Sequence, residues 1–542
     1  MPHAHPFPRL ASALAACLLS AWAAAAADPQ FRVRPYLQNP AADAMTVRWL
    51  SETDEPGRLS CDGRTFTSRP VLAVELAYNP AEPEELQHAA PPFLHTVRVT
   101  DLEPATSYPY EVEQAGDTFR AVLTTSPQPG TVGRGGAVRL FFYADAECEP
   151  ESRGTAGLWP PSPSLPGGLR PRWAVRYPVD QTTGYRMNLA LIARRAADSL
   201  RAGNPALVSI VGDLVQSGGE QRDWDEFWRH NAGVFGTLAA RVPLVAAFGN
   251  HDVFGGPSDE DRDRAPGEYA GPPSLFASRK LLTYFEHPEN EAPDERHLGR
   301  YHRVDFGPVT LLTLDSSNGG ADDESTDTNH LLDRRNADHI PDYMPGSPQH
   351  SWLVRELAAA QARGAIVFVQ FHHAPFSSGP HGRPPGGGPR QDLESGQPMR
   401  FLAELLRDSG VRAVFSGHDE MYEHSVVEGV HYFDVGIGGD DLRAPEADVF
   451  NDRQIFCADT HAPERWDGDV LASGGKHYGH LEVEVARRAD AEGFRVTITP
   501  AYVFPLLAAD RPGEVEGWER REYPDVVEFD VPAPAAEEAV AP

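Results

Sequence analysis

"VPLVAAFGNHD", residues 242–252, is an apolar run of strand length that stops on Gly249, Asn250, His251 and Asp252. Six other runs share this build: "AVRLFFYAD" (137–145), "PALVSIVGD" (205–213), "PVTLLTLDSS" (308–317), "GAIVFVQFHH" (364–373), "VRAVFSGHDE" (411–420) and "VHYFDVGIGG" (430–439). Short, nearly continuous apolar runs are the pattern of strands buried on both faces. Helical periods lie between several of them. Leu189, Ile192, Ala196 and Leu200 share one face, as do Leu353, Leu357 and Ala360, and Met399, Leu402 and Leu406. Alternating strand and helix predicts an α/β layered domain from residue 137 onward. In such domains ligands bind beyond the carboxyl ends of the strands. The polar residues collect there: Asp145 and Glu147, Asp213, Asn250-His251-Asp252, His372-His373, and His418-Asp419-Glu420. A lone Gly-Asp or His at a strand end is ordinarily a hydrogen-bonded turn. Five such ends in order, rich in carboxylate, amide and imidazole, form a pattern that turns alone do not require.

Upstream, residues 28–126 read as all-β. "AMTVRWL" and "HTVRVTDL" alternate apolar and polar residues, and "LEPATSYPYEVE" (102–113) sets a proline turn before an aromatic strand. This suits a small sandwich of the fibronectin type III kind. "TSPQPGTVGRGG" (125–136) is rich in Pro and Gly, and a linker is placed at 127–136. The catalytic domain is expected over 137–505, with "GHLEVEVAR" and "FRVTITPAYV" as a hairpin, and a partly disordered extension over 506–542. The loops at 318–346 (acidic) and 377–395 (Gly/Pro-rich) are long enough to be functional.

Residues 1–27 carry Arg9, an apolar run and "AAA" before Asp28, the layout of a secretory signal peptide. "LAAC" at 14–17 also fits a lipobox, which would anchor Cys17. The residues after Cys17 stay apolar, where a lipoprotein tether is polar, so a secreted or periplasmic protein is the expectation. No other segment has the length and apolarity of a membrane span. The 542 residues carry a net charge of −31, with no basic run to bind nucleic acid. An anionic substrate therefore needs local positive charge, and metal ions are one source. Export leaves Cys61, Cys148 and Cys457, enough for one disulfide and too few for a cysteine-rich zinc site.

The strand-end motifs resemble those of the calcineurin-like metallophosphatases, and most closely the purple acid phosphatases. "RPYLQNPAADAMTVRW" (34–49), "DFGPVTLLTLDSS" (305–317) and "FHHAPFSSGPHG" (371–382) are similar to that family in the family's order. The resemblance implies a β-sandwich followed by a four-layer domain, two sheets flanked by helices, that hydrolyses phosphate esters with two metal ions. Position by position it makes Asp145 a ligand of the first ion and Asp213 the bridge. Asn250, His372 and His418 become ligands of the second ion, with His373 the alternative to His372. It places His251 beside the phosphate, with Asp252 orienting its ring, and His381 on a substrate loop.

Three departures fall on the first ion. Gln216 stands where those phosphatases have a metal-binding Tyr, so their tyrosinate colour should be absent. Glu147 and Glu420 stand where related members have His. Both substitutes are carboxylates, and Asp145 and Glu147 lie at i and i+2, on one face of an extended chain. With Asp213 they could form an all-oxygen site for a hard ion such as Fe or Mn, or Mg or Ca. The Asn and two His of the other site suit Zn, Mn or Fe. Four carboxylates only balance two divalent ions, so phosphate binding needs further positive charge. Asp434 and Asp440, around "GIGGDD", are expected merely to shape a turn.

The function expected is a secreted binuclear phosphoesterase that hydrolyses phosphomonoesters through a metal-activated water. One alternative is a phosphodiesterase or nucleotide hydrolase on the same site. Another is a metal-binding pseudoenzyme with a recognition role.

Overall fold

The computed structural model describes residues 31–532, apart from 81, 161–164, 166–169, 255–272, 318–327, 330–339 and 490–491. The signal peptide at 1–27, the lipobox Cys17, the acidic run Asp322-Asp323-Glu324 and the last ten residues lie outside the described residues.

The N-terminal sandwich pairs two four-stranded sheets. One holds Phe31–Gln38, Met45–Ser51, Phe93–Val99 and Val71–Leu72; the other holds Arg64–Thr67, Arg58–Cys61, Ser107–Gln114 and Asp117–Thr124. Alternation puts Leu37, Val47, Trp49, Leu59, Val97, Val112 and Leu123 between them. Trp49 stacks on His95, with ring centroids 4.9 Å apart, and its indole N–H donates to Gln114 Oε1 at 3.0 Å.

The α/β domain is built on two seven-stranded sheets packed face to face. In the first, Ala137–Tyr143, Ala206–Ile210 and Leu244–Ala246 run parallel. In the second, Val309–Thr313, Ile366–His373, Ala413–Gly417 and Val430–Val435 run parallel. The strand "AVRLFFY" shows why its run is continuous. Val138, Leu140 and Phe142 face the other sheet, where Phe142 stacks on Phe415 at 3.8 Å. Phe141 and Tyr143 face outward with Leu189, Ile192 and Ala196 of the helix Gln181–Arg201. That helix starts where Asp180 accepts the Thr183 N–H at 2.8 Å. The second sheet is covered on its outer face by Leu353, Leu357 and Ala360 of Pro348–Ala362, and by Met399, Leu402 and Leu406. The four layers are therefore helix, sheet, sheet, helix, as the sequence predicts.

The expected hairpin forms, Gly479–Arg487 against Phe494–Leu507. The expected boundary at 505 falls inside this second strand. Val515–Glu522 and Val527–Val531 both pair with it, so residues 506–531 extend the first sheet rather than trail from it. Cys61, Cys148 and Cys457 are buried free thiols, and the one disulfide their number allows does not form. Among the described residues no helix is long and apolar enough to cross a membrane.

Candidate metal centre

The parallel strands of both sheets end at one edge of the domain, and the polar residues leave from there. Asp145 follows Ala137–Tyr143, Asp213 follows Ala206–Ile210, and Asn250 opens the short helix Asn250–Val253. His372 sits at the end of Ile366–His373, and His418 just after Ala413–Gly417. Five residues here hold positive φ: Asp145 (55°), Glu147 (36°), Asp213 (52°), His418 (79°) and Glu420 (48°). Non-glycine residues avoid this region, so its concentration at one edge marks a backbone bent to aim side chains inward. The approach is close. A Cβ on Gly249 would lie 2.0 Å from Asp213 Oδ1, and one on Gly417 would lie 2.4 Å from Asp145 Oδ2.

Two imidazoles have their tautomers set by carbonyls, which can only accept. His372 Nδ1 donates to Val211 O at 2.9 Å, so its Nε2 lone pair faces Asp213 Oδ2 at 2.8 Å. His418 Nε2 donates to Glu394 O at 2.6 Å, so its Nδ1 lone pair faces Asn250 Oδ1 at 3.2 Å. At His372 and Asp213 acceptor faces acceptor, which calls for a cation between them, and with His418 and Asn250 beside it this donor set fits a metal ion. Asp213, His372 and His418 offer ligand atoms within 4.8 Å of one another. His373 points elsewhere, its Nδ1 on Ser316 Oγ at 2.8 Å, so His372 is the imidazole that meets Asp213.

Without a metal, a proton takes the cation's place. Burial would lower the His372 pKa, but Asp213 outweighs it and pushes the group up to about 9 from 6.5, while Asp213 itself is held below its usual range. This pair stabilises the metal-free fold below pH 6.5 and is lost as pH rises through about 9. Between those limits a metal must displace the proton. Uptake is expected to release about one proton per chain, falling to none above the higher value, and calorimetry in buffers of different ionisation enthalpy reads this directly.

Asp145 accepts the His418 N–H on both oxygens at 3.0 Å. Glu147 and Glu420 are buried, and burial raises both well above the carboxylate range. Two further residues complete the edge: Arg443, which the sequence did not single out, and Asp440, which was expected only to shape a turn. Arg443 pairs with Glu420 Oε1 at 2.6 Å, and Asp440 forms an acidic trio with Glu147 and Glu420.

One of the expected catalytic residues is placed differently from its forecast. Asp252 does not orient the His251 ring. Its carboxylate accepts three backbone N–H groups, Asp213 at 2.9 Å, Leu214 at 2.9 Å and Gly249 at 3.0 Å, because the first turn of Asn250–Val253 faces the Asp213 loop. The His251 ring instead donates from Nδ1 to Gln216 O at 2.8 Å, with Glu147 Oε2 3.8 Å from the same nitrogen. His381 lies over His418, centroids 4.2 Å apart, with Nδ1 2.7 Å from Asp392 Oδ2 and Nε2 against Arg443 Nη1. A cleft of about 280 Å³ leads in, lined by Glu149, Glu151, Arg176, Gln216, Asp440 and Asp441. A wider cavity of about 580 Å³ lies between the sandwich and Gln181–Arg201, and its lining holds none of these carboxylates.

Residues 185–421 match the family model of the calcineurin-like phosphoesterases. The chain carries a calcineurin-like phosphoesterase domain. The matched span holds Asp213, Asn250, His251, His372, His418 and Glu420, and begins after Asp145 and Glu147. The fold is similar to that of the purple acid phosphatase PPD1 from seeds of yellow lupin (Lupinus luteus), at 16% identity, TM-score 0.53, over 90% of this chain and 73% of that one. It is similar also to PhoD, at 13% identity, TM-score 0.54, over 93% of this chain and 91% of that one. No curated protein sequence matches the chain. The chain thus joins a metallophosphoesterase-type domain to candidate metal clusters at its strand ends.

Proposed function

We propose that this metallophosphoesterase is an exported phosphomonoesterase working with two metal ions. The observation that carries the proposal is the convergence of the His372 and His418 lone pairs on Asp213 and Asn250. Those four residues would hold one ion, of the Zn, Mn or Fe class. Glu147 and Glu420 would be among the ligands of a harder one, Fe or Mn, or Mg or Ca. When bound, two such ions supply Lewis acidity, making a water nucleophilic at neutral pH and offsetting phosphoryl charge.

The chain's own residues do the rest. Arg443, held by Glu420 and His381, adds a fixed positive charge beside the carboxylates of Asp145, Asp213, Glu147, Glu420 and Asp440, so two divalent ions bring the site to neutrality instead of leaving it negative. This is the charge the sequence lacked. With Nδ1–H held by Gln216 O, the His251 ring in its protonated form would give the Nε2 proton to the leaving oxygen and remain as the neutral imidazole. His381, engaged at both nitrogens, positions Arg443 in this scheme. Export rests on the sequence of residues 1–27.

The cleft disfavours polyanionic esters, and the preference for a monoester over a diester rests on the two-ion reading. Glu149, Glu151, Asp440 and Asp441 face one cation, Arg176, and would repel a polyanionic nucleotide. The expected result is hydrolysis of p-nitrophenyl phosphate with kcat/KM about tenfold or more above that for bis(p-nitrophenyl) phosphate, about 1.4 kcal/mol. A reversed preference would assign a phosphodiesterase. Turnover of neither by metal-loaded protein would point to a recognition protein.

A further inference from the structure

Glu147, Glu420 and Asp440 bring one carboxylate oxygen each within 4.8 Å of one another. Such proximity is unfavourable unless a cation lies among them. Acidic clusters are common without an ion, but here a second observation points inward. Glu420 is 3% exposed, and its Oε2 is buried with no hydrogen-bond partner, while Oε1 is taken by Arg443 at 2.6 Å. A buried carboxylate oxygen left unsatisfied costs free energy that a ligand would recover.

The backbone fixes Asp440 in place. Gly438 N–H donates to Ala144 O at 2.9 Å, and the Gly439 and Asp440 N–H groups both donate to Asp145 O, at 2.9 and 3.0 Å. Arg443 N–H donates to Glu420 O at 3.1 Å. The loop after Val430–Val435 is thereby stitched to the two segments that carry Glu147 and Glu420. Gln181 Nε2 donates to Asp440 Oδ1 at 2.5 Å, and the Asp440 carboxyl also hydrogen-bonds to that of Glu147, so the two share one locus.

Asp145 is less suited to the same role. Both of its oxygens already accept the His418 N–H, and positions 417 and 436 are glycines because Oδ2 packs against them, 2.4 and 2.5 Å from where a Cβ would stand.

We propose that Glu147, Glu420 and Asp440 are the ligands of the second, hard cation, with Asp440 as the residue that moves this site away from Asp145 and toward the cleft. The assignment rests on the two-ion reading above. The donors are all oxygen, which selects Mn²⁺, Mg²⁺ or Ca²⁺ over softer ions. Three carboxylates and the Arg443 guanidinium sum to a double negative charge, which one divalent ion neutralises.

The test is Mn²⁺ binding to the chelator-stripped full chain, read by the paramagnetic signal of free Mn²⁺. The wild type is expected to bind two equivalents. Asp440→Asn and Glu147→Gln are each expected to bind one. His372→Ala is expected to lose the other equivalent, and Asp441→Asn to keep both. Circular dichroism and the unfolding profile exclude misfolded variants, and either carboxamide variant alone suffices. Two equivalents retained by a folded Asp440→Asn would overturn the Asp440 site and leave the two-ion reading standing. One equivalent in the wild type, lost in His372→Ala, would also overturn it. No binding by the wild type would sink the two-ion reading itself.

Discussion

Asp213→Asn is expected to lower kcat/KM for a phosphomonoester by roughly a thousandfold or more, about 4 kcal/mol of transition-state stabilisation. Asp213 is where the lines of the site cross. Its Oδ2 meets His372 Nε2 at 2.8 Å, and its Oδ1 accepts the His251 N–H at 3.0 Å. The amide is nearly isosteric, so the fold should persist. It carries no charge and offers one oxygen in place of two, so it cannot hold a cation against His372 and also anchor the His251 turn. The proton on His372 loses its partner as well, and its titration should fall back from about 9. That shift, followed by NMR of the metal-free protein, separates loss of charge at this atom from general damage.

Asp252→Ala is expected to destabilise the α/β domain by about 4 kcal/mol, with loss of metal retention. The buried carboxylate accepts from Asp213, Leu214 and Gly249. Hydrogen bonds to a charged acceptor contribute roughly 1.5–3 kcal/mol each and do not add fully. Removal leaves three backbone N–H groups beside the strained Asp213 turn without this acceptor. Asp252→Asn keeps one carbonyl oxygen and should lose roughly half as much. Denaturant unfolding of both variants measures the difference. An effect on activity with stability unchanged would contradict the clamp and return Asp252 to a role at His251.

What was legible in the sequence follows from where the chemistry sits. Asp145, Asp213, Asn250, His372 and His418 each close an apolar strand, so local pattern and strand order were enough to gather them. Asp440 and Arg443 lie on an irregular loop after Val430–Val435. They reach the site only because that loop hydrogen-bonds to Ala144, Asp145 and Glu420, a long-range contact that periodicity does not encode. Asp252 was misassigned because the sequence shows it next to His251, whereas the helical turn aims it back at the 213–214 backbone. The last strands were missed for a related reason. Val515–Glu522 alternates little and exposes much of its surface, so its pairing partner, and not its composition, makes it a strand. The outermost cysteines illustrate the same limit, since nothing in their spacing tells whether they meet.

The proposed chemistry is cooperative between two cations. His372 and His418 would hold one, the carboxylates of Glu147 and Glu420 would hold the other, and Arg443 offsets part of their negative charge. The most direct test is to strip the full chain with a chelator and follow hydrolysis of p-nitrophenyl phosphate as Mn²⁺ or Zn²⁺ is returned in known equivalents. Two ions acting together predict little turnover at one equivalent and a plateau reached at two. Full activity at one equivalent, or none at any, would contradict the binuclear account.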